Sequence, residues 1–267
     1  KLKTLSKVYM GLVLMFLYVP IFVLIVFSFN ETKSRSVFSG FTLDWYAKLF
    51  RNEVIISSLM NTIIIAVIAS IAATLLGTLA AIGINSMPKA IVMNITNMPI
   101  VNPEIVTGVS LMLLFVFFAA RMNLEFGFVT LVIAHITFDV PYVILNVMPK
   151  FRQMDPNLFE AAQDLGCSPF TALRKVILPE IMPGVVSGFL MSFTFSLDDF
   201  VISYFTSGST SQTLPITIDS MTRRKISPEI NALSTPIFVV VVIVLVVKHI
   251  IETKQEQRNR ANGGDEE

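Results

Sequence analysis

The chain has 267 residues, 54% of them hydrophobic and 15% charged, against roughly 25% charged in an ordinary soluble domain. Its mean hydropathy is +0.71, and a soluble globule cannot hide that much apolar surface behind so few charges; the chain reads as an integral membrane protein. Lys and Arg number 20 against 19 Asp and Glu, which leaves no net field for nucleic acid. No glycine precedes a lysine, so there is no G-x-x-x-x-G-K-[ST] phosphate loop, and any ATP must bind another chain. The single Cys167 cannot form an internal disulfide, and His135 and His249 have no metal-ligand spacing around them.

A bilayer core of about 30 Å is crossed by about 20 apolar helical residues. The first such run is Val8 to Asn30, after Lys1, Lys3 and Lys7. It is too long for a cleavable signal and no A-x-A site follows, so a retained span is expected. The uncharged stretch Val54 to Pro88 predicts a second span over Leu59 to Ile84. The third, Ala90 to Ala120, carries Glu104 and is interrupted by Pro99 and Pro103. The fourth, Phe126 to Met148, contains His135, Asp139 and Pro141, and the fifth, Ile181 to Phe205, carries Asp198 and Asp199 toward its far end. Ile230 to Ile251 is the sixth, closing one all-α, six-span domain over residues 1–251; the polar tail 252–267 is expected to be solvated and disordered. Six spans put both termini on one side. Placing that side in the cytoplasm gathers most of the basic residues there, although Arg223, Arg224 and Lys225 fall outside.

The segment between spans four and five, residues 149–180, is not a plain polar linker. Asp155, Pro156 and Asn157 form a helix-start signal, followed by Leu158, Phe159, Ala161, Ala162 and Leu165 at helical spacing. Gly166 is placed to end that helix. Ser168 and Pro169 then start a second short helix, which Pro179 is expected to stop. Two short amphipathic helices meeting at a glycine outside the membrane make a docking element.

Glu160-Ala161-Ala162, then Gly166, then Val176-Ile177-Leu178-Pro179 resemble the EAA loop of ABC importer permeases, with Val176 where isoleucine is usual. The likeness extends over nearly the whole chain. Gly40-Phe41-Thr42 with Trp45-Tyr46, Asn102-Pro103-Glu104-Ile105-Val106, His135-Ile136-Thr137-Phe138, the run Ser192 to Phe200 and Ser227 to Ala232 resemble the spermidine/putrescine permease subfamily. That resemblance implies a bacterial inner-membrane, multi-pass subunit without catalytic residues or a cofactor of its own. It implies a heterodimer with a sister permease and an extracytoplasmic polyamine-binding protein. It also implies two ATPase subunits that use ATP and Mg and dock on the loop at Glu160, Ala161, Ala162, Gly166, Leu178 and Pro179. An importer subunit for another small solute shares the same scaffold. An ion-coupled carrier, with the acids as proton relays, is disfavoured by the docking loop and by the lack of inverted repeats.

The residues themselves point to a cation. An ionisable group inside a span costs about 2.5–3.5 kcal/mol on insertion scales and marks a functional site by default. Apart from the histidines these groups are all acidic: Glu104, Asp139, Asp198 and Asp199. No obvious intramembrane lysine or arginine neutralises them, and a path lined by carboxylates favours cations. Glu104 lies about 20 Å along a helix from Ile91, with Pro103 breaking the backbone beside it. Asp198 and Asp199 are successive on one helix, so one of them faces the path, and Asp198 is favoured. A hydrogen bond between helices, or protonation, is the structural alternative for each acid. Trp45 and Tyr46 offer an outer cation–π surface or an aromatic membrane anchor. Gly184 and Gly188 read as a close-packing pair, and His135 as a buried hydrogen-bonding residue.

Overall fold

The computed structural model describes residues 2–32, 37–85, 103–122, 125–209, 211–224, 231–236, 238–240, 242–243, 246, 250 and 253. Its elements are helices: α1 (Leu2–Phe27), α2 (Asp44–Arg51), α3 (Glu53–Asn85), α4 (Glu104–Met122), α5 (Phe128–Gln153), α6 (Leu158–Asp164), α7 (Pro169–Ala172), a π turn (Leu173–Ile177), α8 (Leu178–Asp198), α9 (Val201–Thr206) and α10 (Leu214–Arg224). Among the described residues, five stretches are long and apolar enough to cross a membrane: Ser6–Phe27, Glu53–Asn85, Glu104–Arg121, Phe128–Gln153 and Pro169–Asp198. They fall on the first five predicted spans. Of the predicted sixth, Asn231–Val240 is a shorter apolar helix. Most of its remainder lies outside the described residues, as do the start of the third span (residues 90–102) and all of the predicted tail except residue 253.

The chain divides into two units. The first comprises Lys1–Ser58 and Thr217–Ile243. None of the apolar window of α1 is buried within the chain; a helix apolar all round belongs in lipid or against another hydrophobic chain. Its C-terminal end is tied off by Asn30, whose side-chain amide donates to the Val37 carbonyl (3.0 Å) and accepts from the Ser39 N–H (2.9 Å). The Asn30 carbonyl accepts the Trp45 indole N–H at 2.7 Å, and Tyr46 bonds Ser28 hydroxyl to hydroxyl at 2.7 Å. These bonds seat α2, which buries Trp45 and Leu49.

The second unit comprises Leu59–Ile216 and Val244–Glu267, and its centre is α5. Ala73, Ala81 and Ile84 of α3, Val143, Val147 and Phe151 of α5, and Ile177 and Ile181 share one apolar core. Small residues set how closely the helices approach. A β-carbon on Gly184 would stand 2.7 Å from the Asn146 carbonyl oxygen, one on Gly188 3.2 Å from the Val143 Cα, and one on Gly77 2.7 Å from the Val143 side chain. The glycine pair of α8 therefore packs against α5 of its own chain.

Antiparallel α5 and α8 meet in a ladder of four-residue steps. Val147 faces Gly184 and Val143 faces Gly188. Asp139 stands beside Ser192, and His135 bonds Ser196. Residues four apart stack on one helix face, so a four-residue period on both segments keeps every step on the shared seam. The two glycine steps are apolar and tight, and the two hydroxyl steps are polar.

The fifth span departs from its predicted course at both ends. Pro179 does not stop the second loop helix: the backbone stays helical from Pro169 through Asp198. The π turn accounts for this, since the Leu178 N–H donates to the Leu173 carbonyl five residues back. That wider turn relieves the clash between the proline ring and the carbonyl four residues before it. At the other end the predicted single span to Phe205 is broken. Helix α8 ends at Asp198 and α9 begins at Val201, with Asp199 extended at φ −65°, ψ 119°.

Candidate functional site

Of the two expected loop helices, α6 ends before Gly166 as predicted, whereas α7 begins at Pro169 and runs on through the π turn into α8. Ser168 caps α7, its hydroxyl accepting from the Thr171 N–H at 3.3 Å, with Pro169 at the first helical position, where no donor is lost. Gly166 has φ +86°, left-handed backbone that glycine adopts without the Cβ penalty of other residues. Its N–H donates to the Gln163 carbonyl at 2.8 Å and that of Cys167 to the Ala162 carbonyl at 3.1 Å, closing the end of α6. Ala162 and Ala172 are buried and anchor the two short helices, while Glu160, Ala161, Gly166 and Pro179 are exposed and Leu178 is half-buried. Leu165 is 88% exposed and Phe170 72% exposed. Large apolar side chains left this open on a polar loop mark a contact surface. Beside them a groove of about 650 Å³ is lined by Phe151, Phe159, Glu160, Phe170, Leu173 and Ile177, among others.

The second constellation lies at the far end of α8, about 30 Å away along the helix at 1.5 Å per residue. Glu104 occupies the exposed first turn of α4, directly after Pro103, where the helix dipole favours an anion. The Tyr142 hydroxyl lies within electrostatic reach of both Glu104 and Asp139. Its ring stacks edge-on against Phe195 at 4.6 Å and Phe138 at 5.2 Å, giving the site an aromatic wall. Asp198 is exposed, whereas its neighbour Asp199 is buried. Asp199 accepts the Ile202 N–H at 3.2 Å and the Ser203 N–H at 2.7 Å, capping α9. Asp139 is fully buried, its carboxyl beside the Ser192 hydroxyl across the seam.

His135 is buried and bonded at both nitrogens: Nδ1 to Ser196 at 2.6 Å and Nε2 to Ser203 at 2.9 Å. Asp199 Oδ2 stands 3.5 Å from the same Nε2. Among the described residues, no lysine or arginine is ion-paired with any of the four acids. Glu104, Asp139, Asp198 and Asp199 are thus gathered in the second unit. Trp45 belongs to the first unit, its indole N–H bonded and its ring covered by the Lys48 ammonium at 4.4 Å. Tyr142, Phe195, Ser192, Ser196 and Ser203 were not singled out from the sequence as site residues. The signal for the two serines of α8 was present, in a four-residue spacing that matches His135 and Asp139.

Comparison with known proteins agrees with this architecture. The family described as binding-protein-dependent transport system inner membrane component matches residues 73–260. The chain is 36% identical over 260 residues to the spermidine/putrescine transport system permease protein PotC of Shigella flexneri, covering 96% of each chain. It is 37% identical over 252 residues to the putrescine transport system permease protein PotI of Escherichia coli K12, covering 92% of this chain and 90% of that one. Among solved structures, a bacterial ABC transporter that imports the acidic polysaccharide alginate superposes with a TM-score of 0.74 at 16% identity, over 96% of this chain and 95% of that one; that likeness speaks for the fold.

Membrane-length helices together with the family match and these relatives define a transport permease, the membrane subunit of an ABC importer rather than an enzyme, with ATP hydrolysis on a separate subunit. The chain belongs to the binding-protein-dependent transport system inner membrane component family.

Proposed function

We propose that this permease carries polyamines, putrescine or spermidine, handed over by an external binding protein. The observation that carries the reading is Asp198, exposed at the broken end of α8, with Glu104 and Asp139 on α4 and α5 of the same unit and no lysine or arginine ion-paired with any of them among the described residues. An unpaired carboxylate in a membrane is costly, and a diamine or triamine satisfies two of them at once. The similarity to PotC and PotI supports the same substrate class. Asp198 and Glu104, both exposed, are the acids that meet the cation. Asp199 and Asp139, both buried, serve the α5–α8 seam, and Trp45 holds α2 to the end of α1.

The exposed face of the 149–180 loop docks an ATPase subunit. Glu160 and Ala161 stand at the contact, Gly166 gives the bend, and Leu178 and Pro179 form the root of α8. The assembly comprises a sister permease, two ATPase subunits using ATP and Mg, and the binding protein, with both termini of this chain cytoplasmic. Closure of the ATPases moves the loop, and the unbroken helix from Pro169 to Asp198 carries that motion to the acids. Uptake by the reconstituted complex tests the substrate. ATP-dependent accumulation of putrescine and spermidine is expected, with amino acids and sugars excluded; uptake of those solutes in place of polyamines would replace the reading.

A further inference from the structure

The one local signal for the break after Asp198 is Asp199, an acid able to cap a new helix start. No proline or glycine lies between Gly188 and Gly208, and the Leu, Phe, Ser and Ile residues there would continue a helix. The break is held from the side. Asp199 turns both carboxylate oxygens onto the N–H groups of Ile202 and Ser203, satisfying the exposed start of α9. His135 on α5 then bonds Ser196, before the break, and Ser203, after it.

Ser196 and Ser203 are seven residues apart, about 10.5 Å of rise on an unbroken helix. One imidazole with a hydrogen bond at each nitrogen spans about 8 Å at most. In the broken chain the two hydroxyls stand within that span, on opposite sides of the break. A neutral imidazole has one donor and one acceptor, and serine hydroxyls supply the complement of either tautomer. With Asp199 consumed in capping, Asp198 is the acid left exposed at the end of α8.

We infer that His135 is a positioning residue of the transport path: by bridging Ser196 and Ser203 it fixes where α8 ends and so holds the Asp198 carboxylate outward. The inference rests on the reading of Asp198 as a path carboxylate.

The test uses the complete transporter in proteoliposomes, with putrescine uptake as the readout and co-purification of all subunits as the control for assembly. His135→Leu is expected to lose about tenfold in uptake. His135→Gln, whose amide keeps one donor and one acceptor, should return to within about threefold of the parent. Asp198→Asn alone should also lose about tenfold, and the double variant His135→Leu/Asp198→Asn should fall no lower, because both changes act through one carboxylate. If the leucine variant does not assemble, Ser203→Ala removes one end of the bridge and should cost about threefold. His135→Leu or Ser203→Ala at the parent rate, no recovery with glutamine, or a double variant showing the product of the two single losses overturns the positioning role and leaves Asp198 in place. Unchanged uptake by Asp198→Asn removes Asp198 from the path and the inference with it.

Discussion

The two ends of α8 are built by opposite means. At the loop end the local sequence punctuates the backbone (Gly166 closes α6, Pro169 opens α7, and Pro179 reads as a stop), yet the helix runs on into the membrane because a π turn absorbs Pro179. At the other end there is no proline or glycine, and the helix breaks where Asp199 caps the next helix and His135 bridges the gap from α5. Backbone punctuation therefore shapes the contact surface for a partner, while side chains from another helix shape the acid site. A rigid rod connects them, suited to passing motion from one to the other.

Substitutions can sharpen this contrast, and the largest effect should come from the rod itself. Gly184→Leu puts a side chain where a β-carbon already stands 2.7 Å from the Asn146 carbonyl. Overpacking of this kind costs about 1–3 kcal/mol or more, and loss of the assembled complex is expected on co-purification. Survival of that variant with full uptake would show that α5 and α8 are not held at this distance.

At the loop, Glu160→Lys reverses an exposed charge and Gly166→Val forces a β-branched residue into φ +86°. The left-handed strain at position 166 is about 1–2 kcal/mol. Both variants should insert normally yet lose tenfold or more in transport, with ATP hydrolysis no longer stimulated by the loaded binding protein. Transport at the parent rate in both would place the ATPase contact elsewhere. At the acid end, Asp139→Asn should stay within about twofold of the parent, since the amide keeps the shape of a buried group that meets no cation. A tenfold loss there would bring the α5–α8 seam into the path.

The smallest effect is expected from Pro179→Ala. The helix already continues through this position, so the substitution should leave assembly and uptake nearly unchanged while allowing the π turn to relax toward α. A large transport loss would mean that the widened turn itself is part of the coupling.

What the sequence disclosed follows the same division. The loop was legible because its causes are local: an N-cap serine before a proline, a glycine needed at positive φ, and apolar residues at helical spacing. The break after Asp198 was not, because Asp199 reads equally well as a residue within a helix and the bridge across the break comes from a histidine more than sixty residues earlier in the chain. The continuation through Pro179 was missed because a proline reads as a stop unless the preceding turn widens. Gly184 and Gly188 announced a close approach that the sequence alone left open to the sister subunit; the partner is Val143 and Val147 of the same chain, signalled by the matching four-residue period on the fourth span. The favoured choice of Asp198 over Asp199 rested on helix geometry alone, and the structure adds the contrast of an exposed carboxylate and a capping one.

The most direct measurement of the central claim is a side-by-side comparison of parent and Asp198→Asn transporters, fully assembled in proteoliposomes with ATP inside, for uptake of putrescine, spermidine and a neutral solute of similar size. The parent is expected to accumulate both polyamines and exclude the neutral solute. The variant should lose about tenfold in polyamine uptake, equivalent to about 1.4 kcal/mol, while remaining assembled with its partners. Equal uptake of the neutral solute by the parent, or polyamine uptake by the variant at the parent rate, would contradict a cation path built on the broken end of α8.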